Sequence, residues 1–293
     1  MSCEIEHLDN YHQEENYIIV EGRNILLRLI PGKSLISKSP NLRKAISIPD
    51  MITSNRLAAF RSISKLSTQA KKELGDYINK PLSSTKELSD FKDKIEFITK
   101  SIGDEERKIG VSLASANFWS FCTDKKCNAF IGEFDGRINK CQKCNSSLGD
   151  DGKVRANYLD NIASGFLDGG IWFEDYMHML LEKNGWKVWS HTEIMGNSGI
   201  LHPIDLLAIK DGSILIAECK IGKVSPRDIS HFMIQKLDIP SHFGFFFSLK
   251  ECSSKNTAIL FEKSTSLLLD NMEGKKDEEI IEKINKHIKK FTN

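Results

Sequence analysis

The chain has 293 residues, of which 40% are hydrophobic and 28% charged, and its 41 Lys and Arg residues against 40 Asp and Glu residues leave a net charge of +1. This is an ordinary globular composition, and the charge balance excludes a histone-like basic protein. No apolar run is long enough to span a bilayer, so we expect no membrane insertion. Any contact with nucleic acid must come from local patches of charge.

The amino-terminal stretch MSCEIEHLDNYHQEEN is polar and acidic. A secretory signal needs a basic start and an apolar centre, and this stretch has neither. We therefore expect an intracellular, cytoplasmic protein whose cysteine thiols stay reduced.

The first 115 residues are predicted to be mostly helical. Residues 17–35 contain two β-rich runs separated by a glycine, which predicts a β-hairpin. Residues 57–78 carry apolar side chains at spacings of three and four, typical of an amphipathic helix. A second helix is predicted to follow Ser84, which forms a capping box with Glu87. We assign no role to this region, residues 1–115.

Four cysteines follow in the stretch FWSFCTDKKCNAFIGEFDGRINKCQKCNSS. Cys122-x4-Cys127 is separated by thirteen residues from Cys141-x2-Cys144, a spacing that can converge four thiolates on one structural Zn²⁺. Two disulfides or free core cysteines are the alternatives, and the reducing compartment and polar neighbours disfavour them. The stretch resembles a zinc ribbon, at residues 116–150, which either positions nucleic acid or braces the fold.

The remainder of the chain predicts an α/β domain with the order helix, three strands, helix, strand. The elements are a helix at Ile171–Lys183, strands at 186–194, Leu201–Lys210 and Ser213–Lys220, a helix at 225–237, a strand at 243–249 and a final amphipathic helix around Ile284. The second and third strands are apolar on both faces, which is typical of the middle of a covered sheet.

Charged residues interrupt these apolar strands near the ends of one hairpin. Asp211-Gly212 is the dipeptide preferred by two-residue type I′ turns. If it forms the turn, the register places Asp205 directly opposite Glu218. Because side chains alternate along a strand, Glu218 and Lys220 then share one face.

Two carboxylates that face each other across buried strands repel unless something positive lies between them. A hard divalent cation such as Mg²⁺ or Mn²⁺ suits all-oxygen ligands. Lys220 beside that ion would orient an attacking water or steady the charge on a phosphate. The alternative is a buried salt-bridge network of Asp205, Glu218 and Lys220 without catalysis.

Pro203 and Asp205, twelve intervening residues and then Glu218-Cys219-Lys220 resemble the PD-(D/E)xK motif of the restriction-endonuclease-like nuclease superfamily, most closely its Mrr-type branch. The predicted order of elements is also that of the family's core. The proline stands two positions before the aspartate, so the first half of the motif is loose. The resemblance covers the chain from residue 169 to its end.

The resemblance implies a role for each residue of the motif. Asp205, Glu218 and the main-chain carbonyl of Cys219 would hold Mg²⁺ or Mn²⁺, and Lys220 would be the catalytic lysine. Glu174 stands where many members carry an acidic residue on the first core helix, helping the metal site. The alternative for Glu174 is a polar residue at the edge of its helix.

Other polar residues near the motif carry weaker signals. Gln235, on the helix after the motif, resembles a glutamine that some members use near the site. His178, His191 and His202 are left out of the catalytic set, because a lone histidine near a strand end is more often a hydrogen-bonding residue than a general base.

We therefore predict a metal-dependent nuclease with its catalytic domain at residues 165–293, acting as a DNA endonuclease in restriction, defence or repair. One alternative is an RNA or single-strand nuclease on the same scaffold. Another is a non-catalytic nucleic-acid-binding protein that works through its zinc ribbon. A homodimer is expected on mechanistic grounds, because cutting both strands of a duplex usually needs two sites.

Overall fold

The computed structural model describes residues 11–14, 17–20, 25–30, 39–79, 84–124, 126–127, 129–133, 139–149, 152–252, 261 and 265–292. These residues form a mixed α/β structure, as the sequence predicts. The chain divides into two compact units. The sheet unit combines residues 1–54 with residues 170–293, and the cysteine unit contains residues 55–169.

The amino-terminal part of the sheet unit contains three short strands and one helix. They are β1 (Tyr11–Glu14), β2 (Tyr17–Val20), β3 (Ile25–Ile30) and α1 (Pro40–Ile46). β2 and β3 pair antiparallel, which confirms the predicted hairpin. α1 begins after Ser39, whose hydroxyl accepts a hydrogen bond from the Leu42 N–H.

The cysteine unit contains two long helices, a three-stranded sheet and a short helix. They are α2 (Ser54–Asn79), α3 (Thr85–Ile109), β4 (Ser115–Phe121), β5 (Phe130–Glu133), β6 (Lys153–Tyr158) and α4 (Asn161–Asp168). β4 lies between β5 and β6 and pairs antiparallel with both. Ser84 caps α3 by accepting the Glu87 N–H at 3.2 Å, so this half of the predicted capping box is present.

The helices and the sheet of the cysteine unit share one core. Tyr77 of α2 stacks on Phe91 of α3 at 4.5 Å between ring centroids, and Phe121 of β4 meets the Tyr77 ring edge-on at 4.8 Å. The helical hairpin therefore packs with the strand that leads into the four-cysteine region. Spacing along one chain does not reveal which apolar faces meet.

The rest of the sheet unit follows the predicted order of elements, with one further strand before the final helix. They are α5 (Ile171–Lys183), β7 (Lys187–Met195), β8 (Leu201–Lys210), β9 (Ser213–Lys220), α6 (Pro226–Asp238), β10 (Phe243–Ser248), β11 (Ser266–Leu269) and α7 (Asp277–Thr292). The bounds of α5, β8 and β9 are those predicted from the sequence.

Eight strands of the described chain form one sheet, in the order β1-β2-β3-β7-β8-β9-β10-β11. β7, β8 and β9 are antiparallel neighbours, and β9, β10 and β11 run parallel. β3 joins this sheet by pairing Leu29 with Ile194 and Ile30 with Glu193 of β7. The amino-terminal strands thus extend the carboxy-terminal sheet through a pairing between distant parts of the chain.

Both faces of the central strands are covered, as the two-sided apolar pattern predicts. On one face, α5 contacts β7, β8 and β9. On the other, α6 contributes Ile229 and Phe232 to a core that includes Leu207, Ile216 and Phe246. Among the described residues, no helix combines the length and apolar composition needed to cross a bilayer.

Candidate catalytic and metal sites

The turn of the β8–β9 hairpin has the predicted form. Asp211 and Gly212 both have positive φ angles, 49° and 71°, as a type I′ turn requires. The ladder then pairs Lys210 with Ser213 and continues in register to Leu206 and Ala217. Local turn chemistry therefore sets the register that carries the charged residues, and this prediction is confirmed.

The ladder ends one pair before the predicted partnership of Asp205 with Glu218. The side chain of Asp205 instead accepts the Cys219 N–H through Oδ2 at 2.8 Å. The carboxylate thus lies against the backbone of β9, beside Glu218.

Three carboxylates from three elements lie close enough to influence one another. Burial raises the pKa of Asp205 well above its usual value, and the charges of Glu218 and Glu174 raise it further. Burial, followed by the charge of Glu174, raises the pKa of Glu218 to about 7 against the opposing effect of Lys220. The fold therefore brings Glu174 of α5 to the two hairpin carboxylates, whose ionised forms are disfavoured.

Glu174 lies in the first turn of α5, which begins after Gly170 at a φ of 79°. Its side chain is 13% exposed, and its Oε2 lies 2.7 Å from Nδ1 of His191. The acidic residue is therefore held by a neighbour that the sequence did not identify.

His191 is the histidine of β7 that faces this cluster. Its Nε2 also lies 3.3 Å from Oδ1 of Asp175, so the ring contacts two carboxylates of α5. Burial lowers the pKa of His191, but hydrogen bonds to Asp175 and Glu174 outweigh burial and raise it to about 10. No spacing rule in the sequence connects residue 191 with α5, because their contact depends on tertiary packing.

Lys220 extends from the end of β9 toward α6. Its ammonium forms an ion pair with Oδ1 of Asp228, and the lysine side chain is 33% exposed. Asp228 is also the third residue of α6, where it completes a capping box with Ser225. Burial raises the pKa of Asp228, but hydrogen bonds from Lys220 and Ser225 outweigh it and lower the pKa to about 2.

Gln235 of α6 is buried and braces β8. Its Nε2 donates to the carbonyl of Pro203 at 3.0 Å, two residues before Asp205. Its Oε1 is buried without a hydrogen-bond partner among the described residues. The side chain thus supports the strand from which Asp205 extends.

The other two histidines have separate partners. His178 Nδ1 lies 2.5 Å from Ser190 Oγ, and His202 Nε2 lies 2.6 Å from Asp238 Oδ2. Both contacts connect a helix with a strand, which is the structural use expected for these residues.

The four predicted cysteine ligands lie together in the cysteine unit. Their sulfur atoms are all within 4.8 Å of one another. Cys122 and Cys144 are 3.3 Å apart, Cys127 and Cys141 are 3.7 Å apart, and all four thiols are free of disulfides. Four sulfurs bound to one Zn²⁺ in a tetrahedron lie about 3.8 Å apart, so the cluster could hold a metal ion such as zinc.

Tight backbone turns aim each cysteine pair at the cluster. The Cys127 N–H donates to the Asp124 carbonyl, and the Cys141 N–H donates to the Ser146 carbonyl, both at 2.9 Å. Asn145, which tolerates positive φ well, adopts a φ of 65° directly after Cys144. A closed set of four thiolates leaves no coordination position for a substrate, so such an ion would be structural.

No protein-family model matches the chain, and no curated protein matches it. Among solved structures, protein VC1899 from Vibrio cholerae is 10% identical with a TM-score of 0.47, and the match covers 94% of this chain and 69% of that one. A protein of unknown function, AF1548, is 17% identical with a TM-score of 0.32, and the match covers 40% of this chain and 66% of AF1548.

A third solved structure is Can2 from Sulfobacillus thermosulfidooxidans in complex with cyclic tetra-adenylate. It is 17% identical with a TM-score of 0.37, and the match covers 45% of this chain and 41% of Can2. Because all three likenesses are remote, only the side chains of the sites support a function.

Proposed function

We propose that this protein is a metal-dependent nuclease that hydrolyses phosphodiester bonds, with DNA as its substrate. The observation that carries the proposal is the convergence of Glu174, Asp205 and Glu218 beside Lys220. These residues resemble the PD-(D/E)xK pattern, and the element order α5, β7 to β9, α6, β10 supports the proposal because it is the order that this resemblance implies.

The crowding of the carboxylates supports a cation at this place. The raised pKa values of Asp205 and Glu218 mean that their negative charges are poorly compensated by the protein itself. Carboxylate and carbonyl oxygens are the ligands that Mg²⁺ and Mn²⁺ prefer. Asp205, Glu218 and the main-chain carbonyl of Cys219 would hold the ion, and Glu174 would assist them.

A divalent cation bound here would polarise the scissile phosphate and lower the pKa of a bound water. Lys220 would assist the attack on phosphorus. An ammonium group has three N–H donors, so Lys220 can keep Asp228 as one partner and still offer a donor to a phosphate oxygen. Its partial exposure gives a substrate access to that group.

The four-cysteine cluster is proposed as a structural zinc ribbon at residues 116–150, with the nuclease domain at residues 165–293. The cysteine unit would then supply recognition or assembly for a catalytic sheet unit. A homodimer would place two catalytic sites on one duplex, consistent with a role in restriction, defence or repair. Light scattering on the purified chain measures the oligomeric state directly.

The experiment that tests the nuclease is cleavage of duplex DNA, single-stranded DNA and RNA with Mg²⁺ or Mn²⁺. Asp205→Asn and Lys220→Ala are each expected to reduce cleavage at least about 100-fold. Asp211→Asn, at the other end of the same hairpin, and Lys223→Ala, three residues beyond Lys220, are the matched controls and should cut normally. Preferred cleavage of RNA or single strands would replace duplex DNA as the substrate.

The second candidate is a nucleic-acid-binding protein without catalysis. The ion pair of Lys220 with Asp228 favours it, because a charged pair can serve the fold alone. Under this alternative the native protein binds nucleic acid but never cuts in either metal, and Lys220→Ala changes only the melting temperature. That pair of results would exclude the nuclease.

A further inference from the structure

The backbone of His191 has an unusual conformation for a residue inside a strand. Its φ angle is 53°, in the left-handed region that residues other than glycine seldom adopt. The pairs on either side, Ser190 with Leu206 and Thr192 with Ile204, are present in the ladder, and their register would place His191 opposite Asp205. A strained residue persists where the surroundings hold it, and such residues cluster at functional sites.

Two carboxylates of α5 contact the imidazole ring of His191. Nδ1 lies 2.7 Å from Glu174 Oε2, and Nε2 lies 3.3 Å from Asp175 Oδ1. Both partners are carboxylate oxygens, which accept hydrogen bonds, so each ring nitrogen acts as a donor. The imidazole therefore bridges two successive residues of α5 from a neighbouring strand.

Asp175 anchors this bridge. It is 5% exposed, and its second oxygen, Oδ2, is buried without a hydrogen-bond partner among the described residues. A buried carboxylate with so few partners depends strongly on the contact with His191. Asp175 thus fixes the orientation of the ring, and the ring in turn fixes Glu174.

We propose that His191 is a positioning residue that holds the carboxylate of Glu174 toward Asp205 and Glu218. The role rests on the proposed function, because Glu174 matters only if the cluster binds a divalent cation. A freed Glu174 has several rotamers, and only some direct its oxygens at the other two carboxylates. The strained backbone at residue 191 is the local cost of directing the ring at α5.

The test is binding of Mn²⁺ to the full chain by calorimetry at one fixed pH, with the melting temperature recorded for each variant. His191→Asn is the main variant, because asparagine tolerates positive φ but is too short to bridge both carboxylates. It is expected to weaken Mn²⁺ binding about 10-fold, the usual scale for a residue that orients a metal ligand. His178→Asn is the matched control, since it removes another α5-to-β7 contact and should leave Mn²⁺ affinity unchanged.

A double-mutant cycle separates positioning from general structural support. If His191 acts through Glu174, the combination of His191→Asn with Glu174→Gln weakens Mn²⁺ binding no more than Glu174→Gln alone. The inference would be overturned if the two losses of Mn²⁺ affinity multiply in the double variant, or if His191→Asn leaves the Mn²⁺ affinity unchanged. If His191→Asn does not fold, Asp175→Leu replaces it, because an apolar side chain of similar size removes the acceptor of the Nε2–H hydrogen bond without leaving a buried charge.

The same titrations separate this inference from the nuclease. If Asp205→Asn abolishes Mn²⁺ binding and His191→Asn leaves it intact, the positioning role fails and the metal site stands. If native protein binds no Mn²⁺, both fail together.

Discussion

The ammonium group of Lys220 at the end of β9 is paired with Asp228, the third residue of α6. Asp228 uses its other oxygen, Oδ2, to accept hydrogen bonds from the backbone N–H and the hydroxyl of Ser225, at 2.7 and 2.6 Å. The helix cap and the lysine of the motif therefore share one carboxylate. A substitution of Asp228 therefore changes both the cap of α6 and the ion pair of Lys220.

Asp228→Asn tests what the shared carboxylate does for Lys220. The neutral side chain no longer holds the ammonium, and a freed lysine regains rotamer freedom that must be lost again in the reaction. We expect cleavage to slow about 10-fold, with the Mg²⁺ dependence unchanged. Ser225→Ala is the control, because it breaks the same cap without removing the partner of Lys220. Faster cleavage in Asp228→Asn would mean that the pair restrains Lys220 instead.

Asp205→Asn should separate stability from function. Burial and the neighbouring carboxylates raise the pKa of Asp205, so its ionised form is unfavourable in the metal-free fold. The neutral isostere should raise the melting temperature of the chelator-treated protein by about 2–4 °C, corresponding to about 1 kcal/mol for a chain of this size. Differential scanning calorimetry with and without Mn²⁺ checks it, and Mn²⁺ should stabilise only the native protein. A lower metal-free melting temperature would contradict the crowding of the carboxylates.

Zinc should be measurable in the purified protein. We expect about one Zn²⁺ per chain by elemental analysis, bound by Cys122, Cys127, Cys141 and Cys144. Cys144→Ser should lose most of this metal and melt at a lower temperature, because a structural zinc site contributes its binding free energy to folding. Cys252→Ser, outside the cluster, is the control and should retain the zinc. A fully stable native protein that contains no metal would refute the site.

The pH dependence of stability in the metal-free protein should report on His191. The groups that face its ring are Glu174 and Asp175 of α5 and Asp205 of β8. Its pKa is about 10 in the fold against 6.5 for an ordinary histidine. The protonated ring is therefore favoured by folding, so its stabilising contribution is complete below pH 6.5 and is lost as the pH rises through about 10.

Melting temperatures recorded in chelator from pH 6 to pH 10.5 test this dependence. The loss of stability over that interval should be smaller in His191→Asn than in the native protein, while His178→Asn should follow the native curve. Parallel curves for the native protein and His191→Asn would show that the ring does not titrate in this window.

Much of the sheet unit could be predicted because its signals are local. The bounds of α5, β8 and β9 follow from apolar periodicity and from the Asp211-Gly212 turn. The turn also sets the register that brings Asp205 near Glu218. The ion-pair partners within the site could not be predicted in the same way. The pairs of Lys220 with Asp228 and of Glu174 with His191 correspond to no regular spacing in the sequence.

Helices α2, α3, α5, α6 and α7, strands β7 to β10, the register of the β8–β9 hairpin and the cysteine cluster could be predicted, since each depends on residues close along the chain. The pairing of β3 with β7 and the packing of α2 and α3 against the sheet of the cysteine unit depend instead on tertiary contacts. The contact of the His191 ring with α5, made from a backbone in the left-handed region, depends on them as well. These contacts depend on which apolar and charged faces meet when the chain folds. Several pairings of faces are compatible with the sequence pattern, and the free energy of burying apolar surface selects among them.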